Sequence, residues 1–296
     1  MVKLFPSIFL SLLLPLTVAA QSVQIQDGAI LAEFSVSDST KVYFSQGNLQ
    51  YQASTGTWRF AEHQWDFVGD SIKGNVYEKG EKSDNAKISS SYDGWIDLFG
   101  WGTSLYNGKN PYMTSTHYSD YGDGYNDIAG TNYDWGVYNA IFNGGNQAGQ
   151  WRTLTNDEWY YVINTRANAS SKKGVASVNG VNGLILLPDE WTLPEGIVFT
   201  SGVADDYGSE YYAMVNSYTA SEWAKMEANG AVFLPAAGYR YVADVLYVDS
   251  NGYYWSSSAD GDDYALYLYF GSSYVYTLSY GRGNGLSVRL VQDVKK

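Results

Sequence analysis

The last quarter of the chain alternates between apolar and polar positions. From Tyr264 to Phe270, Leu266, Leu268 and Phe270 fall on one side and Tyr267 and Tyr269 on the other, the period-two pattern of a half-buried strand. Leu286, Val288 and Leu290 repeat the pattern, and between them Tyr274, Tyr276, Leu278 and Tyr280 share a face. The run VFLPAAGYRY, beginning at Val232, and the run GYYWSSS, after a turn at Asn251-Gly252, precede these strands. The connections are Asp260-Gly261-Asp262-Asp263, Gly271-Ser272-Ser273 and Gly281-Arg282-Gly283-Asn284, built from the residue types that close tight turns. Residues 232–291 therefore read as a C-terminal core of antiparallel ribbons with aliphatic side chains inward.

Upstream, residues 32–69 read as a meander of short strands, FSV, KVYFS, NLQYQ, TWRFA and QWDFVG. From 70 to 150 the pattern gives way to Gly, Asn, Asp, Ser and aromatics. Trp95, Trp101 and Trp135 demand burial, so this stretch is predicted to be a long ordered insertion rather than a disordered one. Two helices follow from capping boxes, Thr155 with Glu158 and Thr219 with Glu222, in which hydroxyl and carboxylate satisfy each other's backbone donors. Trp159, Val162 and Ile163 continue the first at helical spacing, Trp223 and Met226 the second, and Gly230 stops it. Gly183 to Leu187 is predicted to be a buried strand ended by Pro188, and Val203 to Tyr218 a polar surface loop.

Composition narrows the class. The chain has 296 residues, 45% hydrophobic and 17% aromatic, without a linker-like stretch, so residues 21–296 are read as one α+β domain. Residues 1–20 carry the signature of a signal peptide, with Lys3, an apolar core from Leu4 to Leu16, and Val18-Ala19-Ala20 before Gln21. Export to the periplasm, cell surface or medium is the expectation. No later run reaches the roughly 20 apolar residues of a membrane-spanning helix. There is no cysteine, which removes disulfides, thiol nucleophiles and a lipid-anchor thiol. A net charge of −13 argues against nucleic acid as a partner, because phosphate contacts need basic patches.

The outward positions of the C-terminal ribbons are nearly all Tyr, Ser, Asp, Gly or Asn. Tyrosine offers stiff contact area with a polar tip, and small polar residues offer adaptable hydrogen bonding, the mixture antibody loops use. Eleven of the 28 tyrosines lie between Tyr239 and Tyr280. The candidate ligand-binding residues are Asp260, Asp262, Asp263, Tyr264, Tyr267, Tyr269, Ser272, Ser273, Tyr274, Tyr276, Tyr280, Arg282 and Asn284. An ordinary solvated antiparallel sheet is the competing reading.

The order LPAAGYR, G-YYWSSS, an alternating Tyr/Leu strand and RGNGLSVRLV resembles the C-terminal core of the C-type-lectin-like fold. It is most similar to bacterial secreted proteins of the major paralogous domain type and to retroelement-diversified variable ligand-binding proteins. In the latter, the varied positions cluster before the final strand and are typically Tyr, Ser, Asp, Asn and Gly, as in Asp260 to Asn284. The run WRTLTNDEWYYVI resembles a helix of the formylglycine-generating, sulfatase-modifying branch. That branch implies copper-thiolate oxidation by a cysteine pair, which this chain lacks. Related iron-dependent sulfoxide synthases use several histidines, and only His63 and His117 are present. True C-type lectins hold calcium and sugar with Glu-Pro-Asn or Gln-Pro-Asp; Leu193-Pro194-Glu195-Gly196 departs from both.

Other constellations carry weaker chemistry. Ser256, Ser257 and Ser258 have no histidine near them in sequence to act as base. Asp120, Asp123, Asn126 and Asp127 are oxygen donors of the kind calcium takes, without the EF-hand spacing, so calcium is an open cofactor reading beside a solvated loop. Arg289 is expected to pair with a carboxylate on a neighbouring strand, and Arg282 either contacts a partner or serves its own turn. The sequence thus points to an exported, non-enzymatic binding protein recognising a protein or glycan. A self-assembling surface component and a metal-dependent enzyme using residues 120–134 are the alternatives.

Overall fold

The structure is a computed structural model that describes residues 23–68, 88–242 and 244–295. The expected signal peptide lies outside these residues, as do residues 70–87 of the expected insertion. The N-terminal half contains β1 (Ile25–Gln26), β2 (Ala29–Ile30), β3 (Phe34–Ser35), β4 (Lys41–Phe44), β5 (Leu49–Gln52), β6 (Thr57–Phe60), β7 (Trp95–Ile96), α1 (Trp135–Tyr138), β8 (Arg152–Thr153) and α2 (Asn156–Tyr160). The C-terminal half contains β9 (Lys173–Val178), β10 (Val181–Leu186), α3 (Glu210–Val215), β11 (Ser217–Tyr218), α4 (Ala220–Glu227) and β12 (Val232–Pro235). It continues with β13 (Tyr239–Tyr241), β14 (Asp244–Leu246), β15 (Gly252–Asp260), β16 (Tyr264–Gly271), β17 (Tyr274–Gly281) and β18 (Leu290–Asp293). The fold is α+β, made of small, mainly antiparallel sheets and short helices.

Both capping boxes form. Thr155 accepts from the Glu158 amide and Thr219 from the Glu222 amide, with each glutamate returning to its threonine. The first helix continues through one π-turn to Thr165 and buries Trp159, Val162 and Ile163. Two expectations fail. Residues 64–68 form no strand, because Gln64 is buried and spends its amide on the Ala231 carbonyl, the Phe233 amide and Arg289. The stretch 203–218 is not all loop: α3 forms because Tyr212 is buried and donates its hydroxyl to the Ser250 carbonyl at 2.8 Å.

The described part of the insertion is packed. Trp101 and Trp135 are fully buried beside Trp58, Trp151 and Phe99. Backbone carbonyls take the indole protons of Trp101 (Ser256, 2.8 Å), Trp151 (Gly144, 2.8 Å) and Trp255 (Phe99, 2.7 Å), so Trp101 and Trp255 tie the insertion to β15 as well as filling space. The sheet β15–β16–β17 lies between two cores. Tyr254, Leu268 and Phe270 join the core formed with α2 and β10, while Tyr253, Trp255, Ala265 and Tyr267 join the tryptophan-rich one. Gly252 sits opposite Phe270, and a Cβ there would meet that ring at 2.0 Å.

Candidate binding face

Alternation does place Tyr267 and Tyr269 opposite Leu266 and Leu268, but both sides of β16 are covered near its partner β15. Tyr267 is 4% exposed and belongs to the core; Tyr269 is half-buried. The expectation that both rings stand free in solvent is therefore corrected. The reason is that Trp255 of β15 lies opposite Tyr267 in register and Tyr253 lies diagonal to it, with ring centroids 6.1 and 5.8 Å away.

Outward from this buried base the rings emerge. Register sets Tyr276 beside Tyr269, Leu278 beside Tyr267 and Tyr280 beside Ala265 on one face. Tyr276 is 39% exposed, and Leu278 is also exposed. Tyr239 joins through Tyr280 and Tyr253 at 5.3 and 5.1 Å, Tyr247 stacks on Tyr239, and Tyr207 approaches Tyr274 at 6.1 Å. Tyr207 and Tyr247 are 73% and 58% exposed. The result is a shelf of tyrosines whose inner rings are held in the core and whose outer rings meet solvent. Tyr239, Tyr247 and Tyr207 were missed in the sequence. Their signal was a tyrosine beside turn-forming residues, as in Asp206-Tyr207-Gly208.

Hydrogen bonds lock the shelf. Tyr269 and Tyr274 share a hydroxyl contact, Asn251 donates to the Tyr274 oxygen at 2.6 Å, and Tyr239 bonds Tyr280. Burial pushes the phenols of Tyr239, Tyr253, Tyr267 and Tyr274 above the ordinary tyrosine range, so all are neutral donors and acceptors at physiological pH.

The remaining predicted site residues divide. Asp260, Asp262, Asp263 and Tyr264 are exposed around the β15–β16 turn, and Tyr264 meets Tyr118 at 5.9 Å. Ser272 and Asn284 are buried: Ser272 bonds the Asp206 carbonyl and the Gly208 amide, and Asn284 the Gly281 carbonyl. The Ser273 hydroxyl is buried without a hydrogen-bond partner among the described residues.

Arg282 is fully buried, which rules out direct partner contact by this side chain as placed. It donates to the carbonyls of Tyr264 (3.0 Å), Gly261 (2.7 Å) and Gly124, and stacks 4.3 Å over Trp101. Burial lowers its pKa, opposed by four nearby aspartates. It clamps the β15–β16 turn to the insertion. Arg289 also corrects the sequence reading. It is buried with the Asn48 and Gln64 amide oxygens at 3.3 and 2.6 Å, no carboxylate among the described residues pairs with it, and desolvation lowers its pKa to about 10.

The calcium candidates are engaged separately. Asp120 accepts from Ser115, Asp127 from the Ala259 amide at 2.7 Å, and Asp123 from Asn126. Among the described residues no group of three or more His, Cys, Asp or Glu side chains could hold a metal ion. Ser256 bonds the Leu266 carbonyl, Ser257 the Thr153 carbonyl and Ser258 the Asn156 amide. His63 stacks on Trp65 and pairs with Asp66, and His117 is exposed. No helix among the described residues is long and apolar enough to cross a membrane.

Residues 215–291 are similar to a family described as "Domain of unknown function (DUF8237)". That span holds the whole β15–β16–β17 sheet and most of the shelf. No curated protein and no solved structure matches the chain.

Proposed function

We propose that this chain is an exported, non-enzymatic binding protein of C-type-lectin-like fold that recognises a protein or glycan surface through the tyrosine shelf of β15–β16–β17. The observation that carries this reading is the graded burial of the shelf, from Tyr267 at 4% to Tyr276 at 39% and Tyr247 at 58%. Rings anchored in a core and presented at a rim lose little freedom on contact, so binding energy is not spent on ordering them. Tyr247 supports the reading too: it holds a left-handed backbone, φ 58°, beside an exposed ring, a conformation non-glycine residues adopt at a cost. The likeness to major-paralogous-domain and diversified variable proteins supports it from the sequence side.

The test uses a printed glycan array and a panel of purified cell-surface proteins, probed with the native chain and with a Tyr276→Ala/Leu278→Asp variant. The reading expects at least one ligand whose binding falls tenfold or more in the variant while its unfolding midpoint is retained. Ligands that bind both proteins equally would remove the shelf from the function. Sedimentation separates the self-assembly alternative, which requires a stable oligomer that the same variant dissolves.

A further inference from the structure

Strand β17 is the outer strand of its sheet, bonded among the described residues to β16 alone. Its ladder phase can be read from one contact. The Arg282 amide donates to the Asp263 carbonyl at 3.0 Å, and this pair is the next step of the register that joins Gly281 to Tyr264. Antiparallel ladders alternate bonded and non-bonded pairs. Tyr274, Tyr276, Leu278 and Tyr280 therefore bond inward to β16, and Val275, Thr277 and Ser279 aim N–H and C=O away from the sheet. The same phase carried across β16 leaves Tyr253 and Trp255 of β15 facing outward, where they bond Ser287 on the other side. On β17 the outward groups have no hydrogen-bond partner among the described residues.

Exposed edges are normally blunted by Lys, Pro, bulges or shortness. From Tyr274 to Gly281 there is no charge and no proline, the ladder to β16 has no shift, and the strand runs eight residues. Charge instead gathers beyond both ends. Asp205 and Asp206 lie in the loop joined to the β16–β17 turn through Ser272, and Asp260, Asp262 and Asp263 are exposed at the opposite end. A second copy pairing antiparallel would set these acidic ends against each other.

We infer that the β17 edge takes an extended polypeptide segment with an uncharged centre and basic ends, added as a fourth strand beside Val275, Thr277 and Ser279. Main-chain bonds would hold the segment, and its alternate side chains would extend the shelf next to Tyr276 and Leu278. This deepens the proposed function by naming a polypeptide as the partner class, and rests on that reading for its biological role.

The probe is a ten-residue peptide of alternating Thr and Val with two Lys at each end, titrated into the full chain at low salt. Binding is expected to weaken at least tenfold when Glu replaces every Lys, and to vanish when every central peptide amide is N-methylated, which blocks both edges of the strand. Thr277→Pro, which removes an outward N–H and leaves the ladder to β16 intact, is expected to weaken binding tenfold, and Thr277→Ala less than twofold. Equal binding of the methylated and unmethylated peptides overturns the inference, whether or not the proline variant folds. So does a dimer in sedimentation that Thr277→Pro dissociates, which would assign the edge to a second copy. If the peptide fails while Tyr276→Ala/Leu278→Asp still abolishes a ligand on the arrays, the edge inference falls alone and the shelf stands.

Discussion

The phenol oxygens of Tyr269 and Tyr274 lie 2.7 Å apart across the β16–β17 turn, and Asn251 donates to the second of them. This pair couples a half-buried ring of the central strand to the edge strand. Tyr274→Phe removes the two short contacts and leaves only the longer bond from Asn251 to the Tyr269 hydroxyl at 3.4 Å, at a cost of about 1 kcal/mol for a partly exposed site. The expected result is a lower urea midpoint with an unchanged slope.

Alkali should unfold the protein through the same cluster. The phenols of Tyr253, Tyr267 and Tyr274 are raised in the fold by burial, whereas unfolded tyrosine ionises near pH 10. Their contribution is complete below about pH 10 and is lost as pH rises through the higher folded values. Absorbance titration near 295 nm is expected to show one set of tyrosines ionising normally and a second set only as near-UV circular dichroism collapses. Smooth ionisation of all tyrosines around pH 10 in a folded protein contradicts this burial.

Tyr267 and Tyr276 share a face but should respond to truncation by very different amounts. Tyr267→Ala empties a site in the tryptophan-rich core and is expected to cost about 3–5 kcal/mol, the range for large aromatic deletions. Tyr276→Ala, at the rim, is expected to cost under about 1 kcal/mol. Equal losses in chemical denaturation would show that the gradient of burial is not as described.

Arg282 is a clamp, and its removal should read as lost stability. Arg282→Ala strands the carbonyls of Tyr264, Gly261 and Gly124 and uncovers Trp101, at about 3 kcal/mol or more. Arg282→Lys keeps the charge but cannot span three carbonyls, so it is expected to recover less than half of that.

Asp97 predicts a pH dependence near neutrality. Desolvation raises its pKa to about 7, while its carboxylate accepts the Val68 amide; an unfolded aspartate titrates near 3.9. Its contribution to stability is present below about pH 4 and is lost as pH rises through about 7. Between pH 5 and 8 the native chain should lose up to about 3 kcal/mol from this group, and Asp97→Asn should show a flatter profile of melting temperature. Asp134, raised to about 6 by burial, slopes in the same direction in both proteins.

Period-two alternation, capping boxes and turn residues are local properties, and they made β15, β16, β17, α2 and α4 legible from the sequence. The same rules show which tyrosines share a face, because side-chain direction along a strand depends only on position. They do not show what lies over that face. Tyr267 and Tyr276 have similar neighbours in sequence, yet one is roofed by Tyr253 and Trp255 and the other is not, since β17 ends the sheet. Arg282 sat among glycines like a loop-tip residue, and only the approach of Trp101 and Gly124, more than 150 residues away, turned it inward. Arg289 met two amide oxygens instead of a carboxylate for the same reason. Local pattern determined the strands and their alternation; long-range packing decided which rings are core, which are rim, and which strand edge remains open, because burial depends on partners the local sequence cannot specify.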